Sequence, residues 1–205
     1  MKKLFLVMAL TAVSSFGSTL ALTMSSPTTF IDSVDSFTSG WSFTITDSIL
    51  ISSLGYYDEN GDGLSDSHDV GIFDSGGTLL VTANVASGTG AALVTDWRMV
   101  SVTPYLLGPG TYTVAGSSIN STDSMVATAI PILDPTFTLG ATDLFSFGAF
   151  SNPTLNAGGG ITYFNANFQF DSTGVPEPST LLMSLSAFGL IGWKKREALL
   201  AMIRR

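Results

Sequence analysis

Apolar and polar side chains alternate along most of the middle of this chain. The apolar members of the two clearest runs are Trp41, Phe43 and Ile45 in the first and Phe164, Ala166, Phe168 and Phe170 in the second. A repeat of two places alternate side chains on opposite faces, as in a half-buried antiparallel strand. Helical periodicity is almost absent between Thr23 and Thr173. The pattern therefore predicts an all-β body.

Further strands follow from the same alternation. The predicted segments are Ser48 to Tyr57, Val70 to Phe73, Thr78 to Val85, Ala92 to Val102, Thr111 to Ser117, Ser124 to Ile130 and Leu144 to Phe150. Gly-rich turn sequences separate them, for example Ser75-Gly76-Gly77 and Leu107-Gly108-Pro109-Gly110. Short strands at this spacing are typical of an antiparallel β-sandwich or jelly roll. We expect this single ectodomain to span residues 22–173.

The N-terminus has the layout of a secretory signal peptide. Met1-Lys2-Lys3 precedes an apolar run from Leu4 to Val13, and small residues follow as far as Ala21. The apolar run is too short to span a bilayer. We expect a signal-peptide helix in residues 1–21, the Sec translocon and signal peptidase as partners, and cleavage after Ala21.

The charge of the body limits what it can bind. Between Leu22 and Pro178 there are fifteen acidic residues and one basic residue, Arg98, which gives a net charge of about −14. Such a body repels nucleic acids, stays soluble and attracts divalent cations. Because the chain has no cysteine, its stability outside the cell cannot come from disulfides.

The C-terminal residues, 174–205, combine three unlike elements. A Pro-Glu-Pro motif, formed by Val175, Pro176, Glu177, Pro178 and Ser179, precedes an uncharged run to Trp193 and a basic cluster, Lys194, Lys195 and Arg196. The run would form about 24 Å of helix, enough for a short transmembrane helix with some thinning of the bilayer. The basic cluster would stop transfer and keep that end in the cytoplasm.

These three elements resemble the PEP-CTERM sorting tail of exported Gram-negative bacterial proteins. The resemblance implies recognition by a membrane-embedded exosortase, which would act near Pro176 to Pro178 and release or re-anchor the body. It implies a membrane-anchored precursor, and then a location at the cell surface or in the extracellular matrix. The apolar sequence after Arg196 is longer than such tails usually carry.

A second resemblance covers roughly Phe37 to Ala115. Its most specific segments are Ile51-Ser-Ser-Leu-Gly55-Tyr-Tyr57, Ser67-His68-Asp-Val-Gly71-Ile-Phe73 and Trp97-Arg-Met-Val100. They are similar to an uncharacterised β-sandwich module of exported bacterial proteins. The resemblance implies a fold and no activity.

One acidic loop has the spacing of a calcium site. The candidate ligands are Asp58, Asn60, Asp62, the carbonyl of Leu64, Asp66 and Asp69. This spacing resembles the calcium loops of EF-hands, dockerins and thrombospondin type 3 repeats, and calcium prefers such oxygen ligands. The alternative is a solvated acidic turn, because Asp, Asn and Gly are ordinary turn residues. A bound calcium ion would have a structural role.

Catalytic groups are sparse. His68 is the sole histidine, with Asp66 or Asp69 as possible partners, and we interpret it as a structural hydrogen-bonding group. Trp97 and the Tyr56-Tyr57 pair could form an aromatic platform for sugars, although burial in the core is the more common role. We expect Arg98 to pair with a carboxylate.

These observations predict a non-enzymatic, exported surface or matrix protein. The alternative is a calcium-dependent carbohydrate-binding module that holds extracellular polysaccharide. A secreted glycoside hydrolase is a third hypothesis, because paired carboxylates are hard to exclude among so many acids.

Overall fold

The computed structural model describes residues 18–172, which form β-strands and one short 3-10 helix, Glu59–Gly61. The strands are β1 (Thr19–Leu20), β2 (Leu22–Phe30), β3 (Ser36–Ile45), β4 (Ile49–Tyr57), β5 (His68–Asp74), β6 (Leu79–Val85), β7 (Ala92–Val94), β8 (Trp97–Leu107), β9 (Gly110–Ile119), β10 (Met125–Leu133), β11 (Phe137–Leu139), β12 (Leu144–Phe147), β13 (Leu155–Asn156) and β14 (Ala166–Ser172).

Within residues 18–172 no helix has the length and apolar character needed to cross a membrane. Residues 1–17 of the predicted signal peptide and the predicted transmembrane helix lie outside the described part of the chain.

The strands form three antiparallel sheets. The first has the order β1-β14-β4-β8-β7, and the second has the order β13-β12-β3-β9-β5-β6 with β11 also paired to β3. The third is a ribbon of β2 and β10. The predicted all-β, antiparallel fold class is confirmed.

One hydrophobic core joins the two larger sheets. Trp41 on β3 and Phe168 on β14 stack with ring centroids 6.2 Å apart and planes 14° apart. The Trp41 indole N–H also donates to the Ala166 carbonyl over 2.8 Å, which satisfies its polar atom inside the core. Both apolar runs of the sequence therefore face this core, as their alternation predicted.

Two polar residues of this alternating run, Asn165 and Asn167, are also buried, which differs from the half-buried strand that the alternation predicts, whereas Gln169 and Asp171 are partly exposed. Asn165 and Asn167 are fully inaccessible to solvent because the β2–β10 ribbon covers them. The Asn167 amide donates to the Leu22 carbonyl over 2.7 Å, and the Asn165 side-chain oxygen accepts from the Val126 N–H over 2.7 Å. The amides thus dock the ribbon by hydrogen bonds, which explains polar residues at buried positions.

The single predicted strand from Ala92 to Val102 is wrong. The chain turns back at Thr95, whose φ of 56° lies in the left-handed region, so that β7 and β8 form a hairpin. Thr95 and Asp96 lack the glycine that usually signals such a turn. Strand β8 then continues to Leu107, beyond the predicted end.

The folded unit begins before the predicted domain boundary at residue 22. Strand β1 pairs with β14 through Thr19 opposite Phe170. Thr19 and Leu20, which the sequence assigns to the signal peptide, are therefore part of the first sheet.

Candidate functional site

The acidic loop, residues 58–67, connects β4 to β5 and contains the short 3-10 helix. Asn60 has a φ of 68° and Gly63 a φ of 112°, so the loop makes two turns in the left-handed region. Asn and Gly adopt this left-handed conformation more readily than other residues, so the same sequence is typical of a turn and of a calcium loop. Leu64 forms an isolated bridge to Gly88, which attaches the loop to the segment after β6.

A buried ion pair holds the start of the loop. Asp58 and Arg98 are only 3% and 5% exposed, and the arginine Nε donates to the Asp58 Oδ2 over 2.6 Å. The remaining guanidinium N–H groups donate to the carbonyls of Gly61, Thr89 and Ala91 over 2.7, 3.3 and 3.2 Å. The expected pairing of Arg98 with a carboxylate is confirmed, and the arginine joins two loops as well.

A second buried carboxylate, that of Asp123, holds the end of the loop. It accepts the backbone N–H groups of Ser65 and Asp66 over 2.7 and 2.9 Å, and the Ser121 hydroxyl over 3.2 Å. Burial alone would raise the pKa of Asp123, but the hydrogen bonds from His68, Ser65 and Asp66 hold that pKa down at about 2. Asp123 is therefore ionised at neutral pH.

His68 is fully buried, and both of its ring nitrogens face acceptors. Its Nδ1 lies 2.7 Å from the Ser117 carbonyl oxygen, and its Nε2 lies 2.9 Å from the Asp123 Oδ2. The Ser117 carbonyl and the Asp123 carboxylate are acceptors, so the imidazole is the donor in these contacts. The Tyr56 ring stacks on the imidazole with centroids 3.6 Å apart and planes 1° apart. His68 thus makes the internal hydrogen bonds expected of a structural group, with Asp123 as its carboxylate partner in place of Asp66 or Asp69.

The other predicted calcium ligands have separate contacts. The Asp66 carboxylate accepts from the Ser121 hydroxyl over 3.1 Å, and Asp69 accepts from the Asn84 amide over 2.8 Å. The Leu64 carbonyl accepts from the Gly88 N–H over 2.6 Å. Asn60 and Asp62 are exposed. Among residues 18–172, no group of three or more His, Cys, Asp or Glu side chains is placed to hold a metal ion.

A polar cavity of about 220 Å³ lies beside the loop. Its acidic lining residues are Asp58, Glu59, Asp62 and Asp123. Asn60 also lines it, whereas Leu64, Asp66 and Asp69 do not. The structure thus gathers half of the predicted ligand set around one cavity, and calcium binding stays a prediction.

Sequence reasoning missed Asp123, which is the centre of the hydrogen-bond network around His68. It lies 54 residues beyond Asp69, in a Ser- and Thr-rich connection between β9 and β10. The only signal is a single acid in an otherwise uncharged stretch. Nothing in the spacing connects that acid to the loop.

Burial in the core, the more common role for these aromatic residues, is confirmed, and the alternative of an aromatic platform for sugars is wrong. Trp97 and Tyr56 are fully buried and Tyr57 is 4% exposed. The Trp97 indole N–H donates to the Phe164 carbonyl over 3.1 Å, which fixes the ring in the core. These aromatic residues stabilise the contact between the sheets and present no stacking surface to a sugar.

The C-terminal residues of the prediction lie outside the described part of the chain. They are Val175, Pro176, Glu177, Pro178 and Ser179 of the motif and Lys194, Lys195 and Arg196 of the basic cluster. A comparison with protein families matches residues 174–196 to the PEP-CTERM protein-sorting motif. No curated protein and no solved structure matches the chain. The chain therefore carries a PEP-CTERM sorting motif behind an all-β body, and the motif indicates an exported protein that an exosortase sorts.

Proposed function

We propose that this chain is a non-enzymatic protein of the cell surface or extracellular matrix of a Gram-negative bacterium. The observation that carries the proposal is the sorting motif at residues 174–196, which implies exosortase as a partner and a membrane-anchored precursor. The Sec translocon and signal peptidase would act at the other end of the chain. The mature β-sandwich would then reside in the extracellular polymer layer.

Two features of the body support a structural role. Arg98, its one basic residue, donates hydrogen bonds to Asp58 and to three backbone carbonyls. His68 has both nitrogens in internal hydrogen bonds and no exposed atoms. Arg98 and His68 therefore hold loops in place through internal hydrogen bonds.

The proposal is tested by fractionating cells that do or do not contain the exosortase. With the enzyme, the body should leave the inner membrane, and without it the full-length precursor should stay there. Glu177→Gln changes the motif, whereas Glu197→Gln makes the same change beyond its end and serves as the control. We expect the first variant to remain in the membrane and the second to be sorted. Equal sorting with and without the exosortase would contradict the proposal.

A second candidate function is calcium-dependent binding of extracellular polysaccharide. The observation that favours it is the polar cavity lined by Asp58, Glu59, Asp62 and Asp123. Retention of the native protein on polysaccharide from its own cells, measured with calcium and then with a chelator, distinguishes the two. Retention that is lost on chelation supports the binding module, and equal elution in both buffers supports the structural protein.

A further inference from the structure

Thr19 to Ala21 are built into the body by backbone hydrogen bonds. In β1, Thr19 and Leu20 pair with Phe170 and Gln169 on β14. The Ala21 N–H donates to the Phe168 carbonyl over 3.0 Å, and the Ala21 carbonyl accepts from the Asp134 N–H over 3.1 Å. Removal of these residues would leave the edge of β14 unpaired and these partners without their hydrogen bonds.

Cleavage after Ala21 would also create a charge in the core. Ala21 and Leu22 both have no exposed surface. A chain that began at Leu22 would carry an α-ammonium group at this buried position, mostly protonated at neutral pH. A buried charge without a partner is strongly unfavourable. A mature body starting at Leu22 would therefore lose the pairing of β1 and carry a charge at a position that the intact fold buries.

The sequence offers another processing site a few residues upstream. Ser15 and Gly17 place small residues at the two recognition positions, with Phe16 between them. Ala12 and Ser14 have the same spacing, but they overlap the apolar run that ends at Val13. Of the two pairs, only Ser15 and Gly17 lie wholly beyond the apolar run, and cleavage after Gly17 keeps β1.

The surroundings of Ser18 suit a new N-terminus. Ser18 is exposed, and its hydroxyl lies 2.9 Å from the Asp171 Oδ1 and 2.9 Å from the Ser52 Oγ. An ammonium group on this residue would have both solvent and a nearby carboxylate, which is the opposite of the situation at Leu22.

We propose that signal peptidase cleaves this chain between Gly17 and Ser18. Water hydrolyses the amide bond, which leaves a carboxylate on Gly17 and an ammonium group on Ser18. The mature protein then begins with Ser18 and keeps β1. This inference rests on the proposed export of the chain.

The test is the N-terminal residue of the full-length chain after expression in a bacterium that exports it. Gly17→Leu places a bulky residue next to the cleaved bond and should abolish the mature form. Thr19→Leu alters the recognition position of the Ala21 site at an exposed residue and should leave the N-terminus at Ser18. Because both readouts report cleavage, neither requires the variant to fold.

Three results are distinguishable. A mature chain that starts at Ser18, and whose formation is lost in Gly17→Leu, supports the inference. A start at Leu22 or at any other residue overturns it and leaves export intact. A chain that retains Met1 overturns both the inference and the proposed export.

Discussion

Arg98 on β8 donates to the Asp58 carboxylate over 2.6 Å, and both side chains are buried. Trp97 on β8 is paired with Tyr57 on β4. Because Arg98 follows Trp97 and Asp58 follows Tyr57, the register of the two strands brings Arg98 and Asp58 together. The body contains one arginine and no lysine, and that arginine holds the acidic loop in place. The loop is therefore held by an internal cation.

Breaking this pair should destabilise the body. Asp58→Asn leaves the buried guanidinium without a countercharge, and the free energy of unfolding should fall by about 3–5 kcal/mol. Asp35→Asn makes the same chemical change at an exposed acid and should alter it by less than about 0.5 kcal/mol. Urea unfolding measures both variants. Equal effects of the two substitutions would show that the ion pair does not hold the loop.

Acid should weaken the protein through Asp123. The pKa of this carboxyl is lowered from 3.8 to about 2 in the folded state, so its contribution is present above pH 4 and is lost as the pH falls toward 2. The shift corresponds to roughly 2 kcal/mol. The difference in unfolding free energy between the wild type and Asp123→Asn should therefore shrink between pH 4 and pH 2. A difference that stays constant over this range would contradict the assignment.

The calcium prediction can be separated from the ion pair. If the loop binds calcium, a concentration ten times the dissociation constant should stabilise the wild type by about 1.4 kcal/mol. Asp62→Asn, at an exposed loop position, should remove that gain, whereas Asp47→Asn, also exposed, should retain it. Thermal unfolding with calcium and with a chelator measures the effect. Identical curves for the wild type in both buffers would reject the calcium site.

Close contact between β3 and β9 should make Gly40 intolerant of a side chain. A Cβ at Gly40 would lie 2.7 Å from the Ala115 Cα, a backbone atom that cannot rotate away. Gly40→Ala should therefore cost about 1–3 kcal/mol. Gly108→Ala is the control, because a Cβ there meets nothing within 4 Å. If both variants unfold at the same urea concentration, the spacing of the two strands is wider than described.

The period-two pattern was enough to predict the fold class, because alternate side chains of a strand must face opposite sides. Trp41, Phe43 and Ile45 are all buried in the core, as predicted. The pattern did not reveal that Asn165 and Asn167 are buried, because polar residues that alternate with apolar ones usually face solvent. Their burial depends on the β2–β10 ribbon, whose pairing is set by distant contacts.

The sequence likewise identified only part of the candidate site. Local sequence identified the acidic loop, and the charge count anticipated the role of Arg98. The carboxylate that holds His68 and the loop comes from Asp123, which only the fold brings near. Calcium loops and ordinary acidic turns use the same residue types. The sequence therefore could not distinguish side chains that bind a metal from side chains that accept hydrogen bonds within the protein.

The most direct test of the account is the intact mass of the native protein from cells that contain the exosortase. A mature chain whose C-terminus lies near Pro176 to Pro178, together with a precursor extending to Arg205 in cells without the enzyme, is the predicted result. A C-terminus at Arg205 in both strains would contradict sorting, and the protein would then be membrane-anchored through its tail alone.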